Sequence, residues 1–168
     1  TCALPISPDS VTIYQMELPF NTVFSKDILD KHTDSPVADW QTKRAWVDYA
    51  FEQFKQAGYS VSSAYTVVKD PNMVNFSYRD NLWRGADLLA TGIASFGHAN
   101  GVHYQNLADL EKYLGTVESG QLPLGRGFVP SKHQQLVREM ILLLKRGNLD
   151  AGYFRDKFGI EITQQFSE

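Results

Sequence analysis

The chain has 168 residues, 43% of them hydrophobic, and a formal net charge of −3 at pH 7. That length and apolar content support one proper core with a small appendage and exclude disorder. The pI near 5.8 excludes the concentrated basic face that phosphate-backbone binding needs, so nucleic acid is not an expected partner.

The longest strongly apolar stretch, Met140 to Leu144, falls far short of the roughly 20 residues that cross a bilayer. No basic and apolar leader opens the sequence, and a soluble protein without membrane insertion is expected. The lone cysteine, Cys2, excludes an internal disulfide and fits a reducing, cytoplasmic compartment.

In chain order, Val11 to Leu18 is β-branched at its start and ends at Pro19, which predicts a short strand followed by a turn. Ser35 followed by Pro36 marks a helix start. Val47, Ala50, Phe51 and Phe54 then recur at helical spacing until Gly58, so a helix is predicted over roughly 36–57. Tyr59 to Val68 alternates, with Tyr59, Val61, Tyr65 and Val67 on one face, and predicts a strand. Strand, long helix, strand is most economically a parallel crossover.

A further short strand is predicted over Ala86 to Gly92. Asn106 is read as the cap of a helix carrying Leu107, Leu110, Leu114 and Val117 along one stripe, stopped by Gly120. Residues 120–130, GQLPLGRGFVP, have the glycine and proline content of a linker and mark a subdomain boundary. Beyond Pro130 the pattern is helical: Ser131 and Gln134 form a capping box before an apolar helix up to Gly147. Asp150 caps a second helix that Gly159 breaks, and Ile160 to Phe166 begins another element.

The chemistry-bearing residues gather around a glycine-rich run, 76–106. Tyr78, Arg79, Trp83, Phe96, His103 and Tyr104 bring flat and cationic groups beside Gly85, Gly92, Gly97 and Gly101. Such a set suits a planar, carboxylate-bearing ligand, because aromatics stack and arginine pairs with carboxylates, although aromatics also simply fill cores. His98 and His103 are five apart, which matches no zinc signature, so neither is taken as a metal ligand. Glu17 follows an apolar strand at the kind of edge where barrel active sites are built, but with no second carboxylate at a defined spacing no catalytic acid or base is assigned. Lys145, Arg146, Arg155 and Lys157 in the helical tail invite a DNA-binding reading, which the acidic Glu139, Asp150, Asp156, Glu161 and Glu168 of the same segment oppose.

Several segments stand in a familiar order: Tyr14 to Thr22 (YQMELPFNT), Gly58-Tyr59, Asp87 to Ser95 (DLLATGIAS), Asn106, Tyr113, Glu139 to Gly147 (EMILLLKRG), and the closing AGYFRDKFGIEI. Collinear from about Pro8 to Phe166, they resemble the oxygen-independent coproporphyrinogen III oxidases, a family of radical S-adenosylmethionine enzymes. The resemblance is to the carboxy-terminal portion of that family. It implies an α/β fold, with residues 1–125 forming the last strands and helices of a partial (β/α) barrel and residues 126–168 a small helical, winged-helix-like domain.

The family's amino-terminal half carries CxxxCxxC, which ligates a 4Fe-4S cluster; none of that motif is present here. The resemblance therefore implies that S-adenosylmethionine and the cluster belong to a full-length parent. The partners implied are a missing amino-terminal radical half and a porphyrin or haem-type tetrapyrrole, and the chain is expected to be inactive alone. Relatives that carry haem without transforming it supply the alternative, a haem-binding chaperone-like module. By the same resemblance Tyr78 and Arg79, with the strand end Thr91, Gly92, Ala94, Ser95 and Phe96, are expected to line the substrate and cofactor cavity, and Tyr14, Glu17, His103 and Asn106 are taken as further candidate binding residues.

Overall fold

The computed structural model describes residues 3–19, 22–31 and 37–166, which divide into two compact units at Asn75/Phe76. The first contains α1 (Ala3–Ile6), β1 (Ser10–Thr12), α2 (Val23–Lys31), α3 (Trp40–Gln56), β2 (Ser60–Ser63) and β3 (Thr66–Val68). The second contains α4 (Ser77–Trp83), β4 (Phe96–Ala99), β5 (Val102–Asn106), α5 (Leu110–Glu118), β6 (Leu124–Phe128), α6 (Lys132–Leu144), α7 (Ala151–Phe158) and α8 (Ile162–Gln165).

In the first unit β3 lies between β1 and β2, and both pairings are antiparallel. The expected parallel crossover is therefore not formed. The segment Tyr59 to Val68, predicted as one strand, folds back on itself at Ala64-Tyr65, where the Tyr65 N–H donates to Ser63 Oγ at 3.3 Å. The hairpin breaks the alternation, with a register shift between Val61 and Ser63 and with Thr66, Val67 and Val68 all buried. The strand expected over Val11 to Leu18 shortens to β1, with Ile13 N–H still donating to the Tyr65 carbonyl at 2.7 Å.

Helix α3 begins where the Asp39 side chain accepts from Thr42 N–H at 2.7 Å; the start expected at Ser35-Pro36 lies outside the described residues. The helix lays Phe54 against Tyr59 and Val67, with Val11, Ile13 and Phe51 around them. Tyr59 sends its hydroxyl to the Pro8 carbonyl at 2.7 Å, which satisfies the polar tip of a buried ring.

In the second unit β4, β5 and β6 form an antiparallel sheet. The run 120–130, expected to be a linker, contains β6, and its ladder to β5 ties it into the unit. The compact units accordingly separate at Asn75/Phe76 and not near residue 125. Ala86 to Gly92 forms no strand beyond a single bridge between Leu88 and His98. Asn106 ends β5, and Asp109 caps α5 by accepting from Lys112 N–H at 2.9 Å.

The helical tail follows its local signals closely. Ser131 and Gln134 close the capping box on α6, Asp150 caps α7, and Gly159 ends it with φ of 71°. The tail buries Leu136, Leu143, Phe154 and Ile162 as one cluster, packed by Trp83 from α4. Glu139, on the same buried side of α6, accepts from the Tyr153 hydroxyl and from Lys157 Nζ at 2.8 Å. Lys157 Nζ also donates to the Arg84 carbonyl at 2.7 Å, so one carboxylate and one ammonium fasten the end of α4 to the tail. Gly85, with φ of 80°, leaves the space that the Glu139 carboxylate fills.

Candidate functional site

The sheet of the second unit sorts its side chains by register. Phe96 pairs with Gln105 and His98 with His103; Gln105 pairs with Arg126 and His103 with Phe128. Successive strand residues point to opposite faces, so these six share one face, while Gly97, Tyr104 and Gly127 share the other.

On the first face Phe96, His103, Arg126 and Phe128 surround a groove of about 250 Å³. The two phenyl rings are more than half exposed, at 66% and 54%. Arg126 Nε donates to Gln105 Oε1 at 2.7 Å, which orients the guanidinium. The His103 ring stacks on His98 across the strands, with centroids 4.4 Å apart and planes inclined by 25°. Burial, followed by the neighbouring His98 and Arg138, holds the His103 imidazole below its ordinary range, so it is neutral at pH 7. The groove thus offers one fixed cation, one neutral imidazole and two apolar walls. That combination stacks a flat ring and pairs with its carboxylate.

The second face floors a larger, mainly apolar cavity of about 610 Å³, bounded by Leu89, Val102, Tyr104 and Leu122. Its wall at 90–95 has no regular structure, so its backbone polar groups need partners from elsewhere. The Tyr104 hydroxyl accepts from Ala90 N–H at 2.9 Å and the Tyr113 hydroxyl from Gly92 N–H at 3.0 Å. Asn106, 4% exposed, donates through Nδ2 to the Ala90 and Gly92 carbonyls at 3.3 and 3.0 Å. Gln105 Nε2 donates to the Ala94 carbonyl at 2.9 Å. These anchors hold Gly92 at φ of 95° and Ala94 at φ of 55°.

The residues expected to line a cavity therefore divide. Phe96 and His103 meet in the groove. Thr91 borders the larger cavity, whereas Gly92, Ala94 and Ser95 shape its wall, with Ser95 Oγ donating to the Thr91 carbonyl at 2.8 Å. Asn106 spends its amide on that wall. Arg79 lies between the Phe76 and Trp83 rings, 4.4 and 5.1 Å from their centroids, and bonds to Asp80 at 2.8 Å; Tyr78 is exposed beside it on α4. Tyr14 and Glu17 belong to the first unit: Tyr14 is exposed with its ring 5.6 Å from that of Tyr65, and Glu17 is exposed in an irregular stretch. Arg126, Phe128 and Gln105 were missed. Their signal was present in Arg-Gly-Phe, whose alternation puts Arg126 and Phe128 on one face.

No family model matches the chain. Two curated relatives, the oxygen-independent coproporphyrinogen III oxidases of Helicobacter pylori strains J99 and 26695, are 28% and 27% identical over 81 residues. Those residues are 48% of this chain and 18% of each relative. Among solved structures, the Escherichia coli coproporphyrinogen III oxidase HemN, a radical SAM enzyme, superimposes with a TM-score of 0.72 at 16% identity, covering 99% of this chain and 40% of that one. The chain is similar to the oxygen-independent coproporphyrinogen III oxidases. The likeness to HemN is one of fold, and it extends over a mixed α/β architecture with a helical tail.

The chain spans under half of HemN and matches under a fifth of the curated oxidases. A radical SAM enzyme needs a cluster held by several thiolates. The present residues do not fit one: the sequence has a single cysteine, Cys2, outside the described residues, and no group of three or more His, Cys, Asp or Glu suited to a metal ion occurs among those described. No described helix is long and apolar enough to cross a membrane.

Proposed function

We propose that this chain is the substrate-side part of a longer, cytoplasmic protein that acts on a porphyrin-type tetrapyrrole by radical S-adenosylmethionine chemistry. The observation that carries the reading is the groove of Phe96, His103, Arg126 and Phe128, on a chain with the fold of a coproporphyrinogen oxidase. Phe96 and Phe128 flank the macrocycle edge, Arg126 pairs with a propionate, and Gln105 keeps the guanidinium turned toward it. The 90–95 wall, pinned by Asn106, Tyr104 and Tyr113, closes the opposite face of the sheet. The cluster and its cofactor belong to residues outside this sequence, and the chain alone binds without reacting.

Anaerobic reconstitution of the parent with iron and sulfide tests the chemistry; failure to assemble a cluster and cleave S-adenosylmethionine rejects it. Titration of coproporphyrin into the 168-residue chain tests the groove. Arg126→Gln is expected to weaken binding about tenfold or more, the scale of one charge-assisted hydrogen bond. A haem Soret shift abolished by His103→Ala, with no cofactor cleavage by the parent, would instead assign the chain to haem carriage.

A further inference from the structure

His103 forms part of the groove wall, but its stacking on His98 has no role in the function proposed above. His98 is 9% exposed, and its Nδ1 lies 3.5 Å from the Ala86 carbonyl. His103 is half-buried and lines the groove with Arg126. The charged groups acting on it come from two elements, His98 on β4 and Arg138 on α6, while Arg126 stands on β6. All are cationic or become so on protonation. Both charged groups that act on His103, His98 and Arg138, oppose an imidazolium there.

An anion in the groove changes that balance. A carboxylate paired with Arg126 places negative charge beside His103, which removes the electrostatic objection to its protonation. We propose that His103, stacked on His98, is the proton switch of the groove: a planar carboxylate entering between Phe96 and Phe128 is captured together with one proton, taken up at His103. The inference rests on the groove being a site for such a ligand, but not on radical chemistry or on a tetrapyrrole.

The proton goes onto the free ring nitrogen of one imidazole from solvent, and no other bond changes. By reciprocity, acid tightens anion binding and the anion raises the imidazole pKa by the same free energy. A shift of about one pKa unit corresponds to a tenfold change in affinity.

The test uses the 168-residue chain and naphthalene-2,6-dicarboxylate, a flat diacid whose own carboxyls are ionised across the range. Calorimetry from pH 8 to 5.5 is expected to show binding tightening on the order of tenfold, with proton uptake seen as a dependence of the enthalpy on buffer ionisation. In His103→Gln the affinity at pH 8 falls with the loss of a lining side chain, and the tightening between pH 8 and 5.5 disappears; in Arg126→Gln binding falls at every pH while the relative tightening in acid persists. Because His98 is nearly buried and its replacement risks the fold, histidine ring resonances of the unaltered protein are titrated with and without the probe, and an upward shift of the His103 titration on binding is expected. A pH-independent affinity in the unaltered protein, or an undiminished pH slope in His103→Gln, overturns the switch. Absence of binding at any pH overturns both switch and groove, whereas failure of the parent to form a cluster leaves this result standing.

Discussion

Tyr104 lies across Gly97, its cross-strand partner, and reaches beyond it to accept a hydrogen bond from the Ala90 N–H at 2.9 Å. A Cβ at Gly97 would occupy the space of the tyrosine ring. The glycine is therefore required for room and not for a left-handed backbone, and through it the cavity wall is tied to the sheet.

Gly97→Ala is accordingly expected to destabilise the protein by about 1–3 kcal/mol, the usual range for overpacking. Thermal or urea unfolding measures it. In a double-mutant cycle with Tyr104→Ala the two costs should be non-additive, because removing the ring frees the space; additive costs would show that the glycine serves something else.

Asn106→Leu removes both donors to the Ala90 and Gly92 carbonyls while keeping the volume. A loss of about 1–3 kcal/mol is expected for each carbonyl left buried without a partner. Hydrogen exchange is the sharper measurement: the amides of Ala90 and Gly92, bonded to Tyr104 and Tyr113, should lose protection while the α6 and α7 amides keep theirs.

Glu139 sits in the tail with its side chain 5% exposed, against 38% for its partner Lys157. Glu139→Ala is expected to cost about 1–3 kcal/mol, since it removes the buried charged acceptor shared by Lys157 and Tyr153, which keep only the Arg84 carbonyl and each other. Glu139→Gln, which keeps an acceptor, should cost clearly less. Equal losses in the two variants would locate the effect in packing.

His103 and Tyr153 set the near-neutral and alkaline ends of the pH dependence of stability, while Asp39, held below its ordinary range by the Thr42 N–H, adds to it only in acid. Burial, His98 and Arg138 depress the folded pKa of His103 below its ordinary 6.5, so its contribution is complete above that pH and is lost as pH falls through the folded value. Tyr153 has the opposite sign. Burial, then its hydrogen bond to Glu139, raise its pKa above 10.0, so its contribution is complete below pH 10 and is lost as pH rises through the folded value. Unfolding midpoints should therefore decline on both sides of a plateau between about 6.5 and 10. In His103→Gln the acid-side decline should shrink, and in Tyr153→Phe the alkaline-side one.

The sequence by itself determined the helical tail, because its signals are local. Ser131, Gln134, Asp150 and Gly159 each bond or bend within four residues of where they stand, so their chemistry is visible without neighbours in space. It also singled out Phe96 and His103, which the sheet register puts on one face. The tertiary structure decided what non-local pairing controls. Alternation in Tyr59 to Val68 suits a single strand, whereas pairing in space gives a hairpin with a register shift between Val61 and Ser63, whose second arm is also paired with β1. Asn106 has the makings of a helix cap, yet its amide is claimed by carbonyls 14 and 16 residues upstream. Arg79 was the conspicuous cation, but rings and Asp80 enclose it, and the groove takes its charge from Arg126, in a run whose glycines resemble those of a linker until β5 lies beside them.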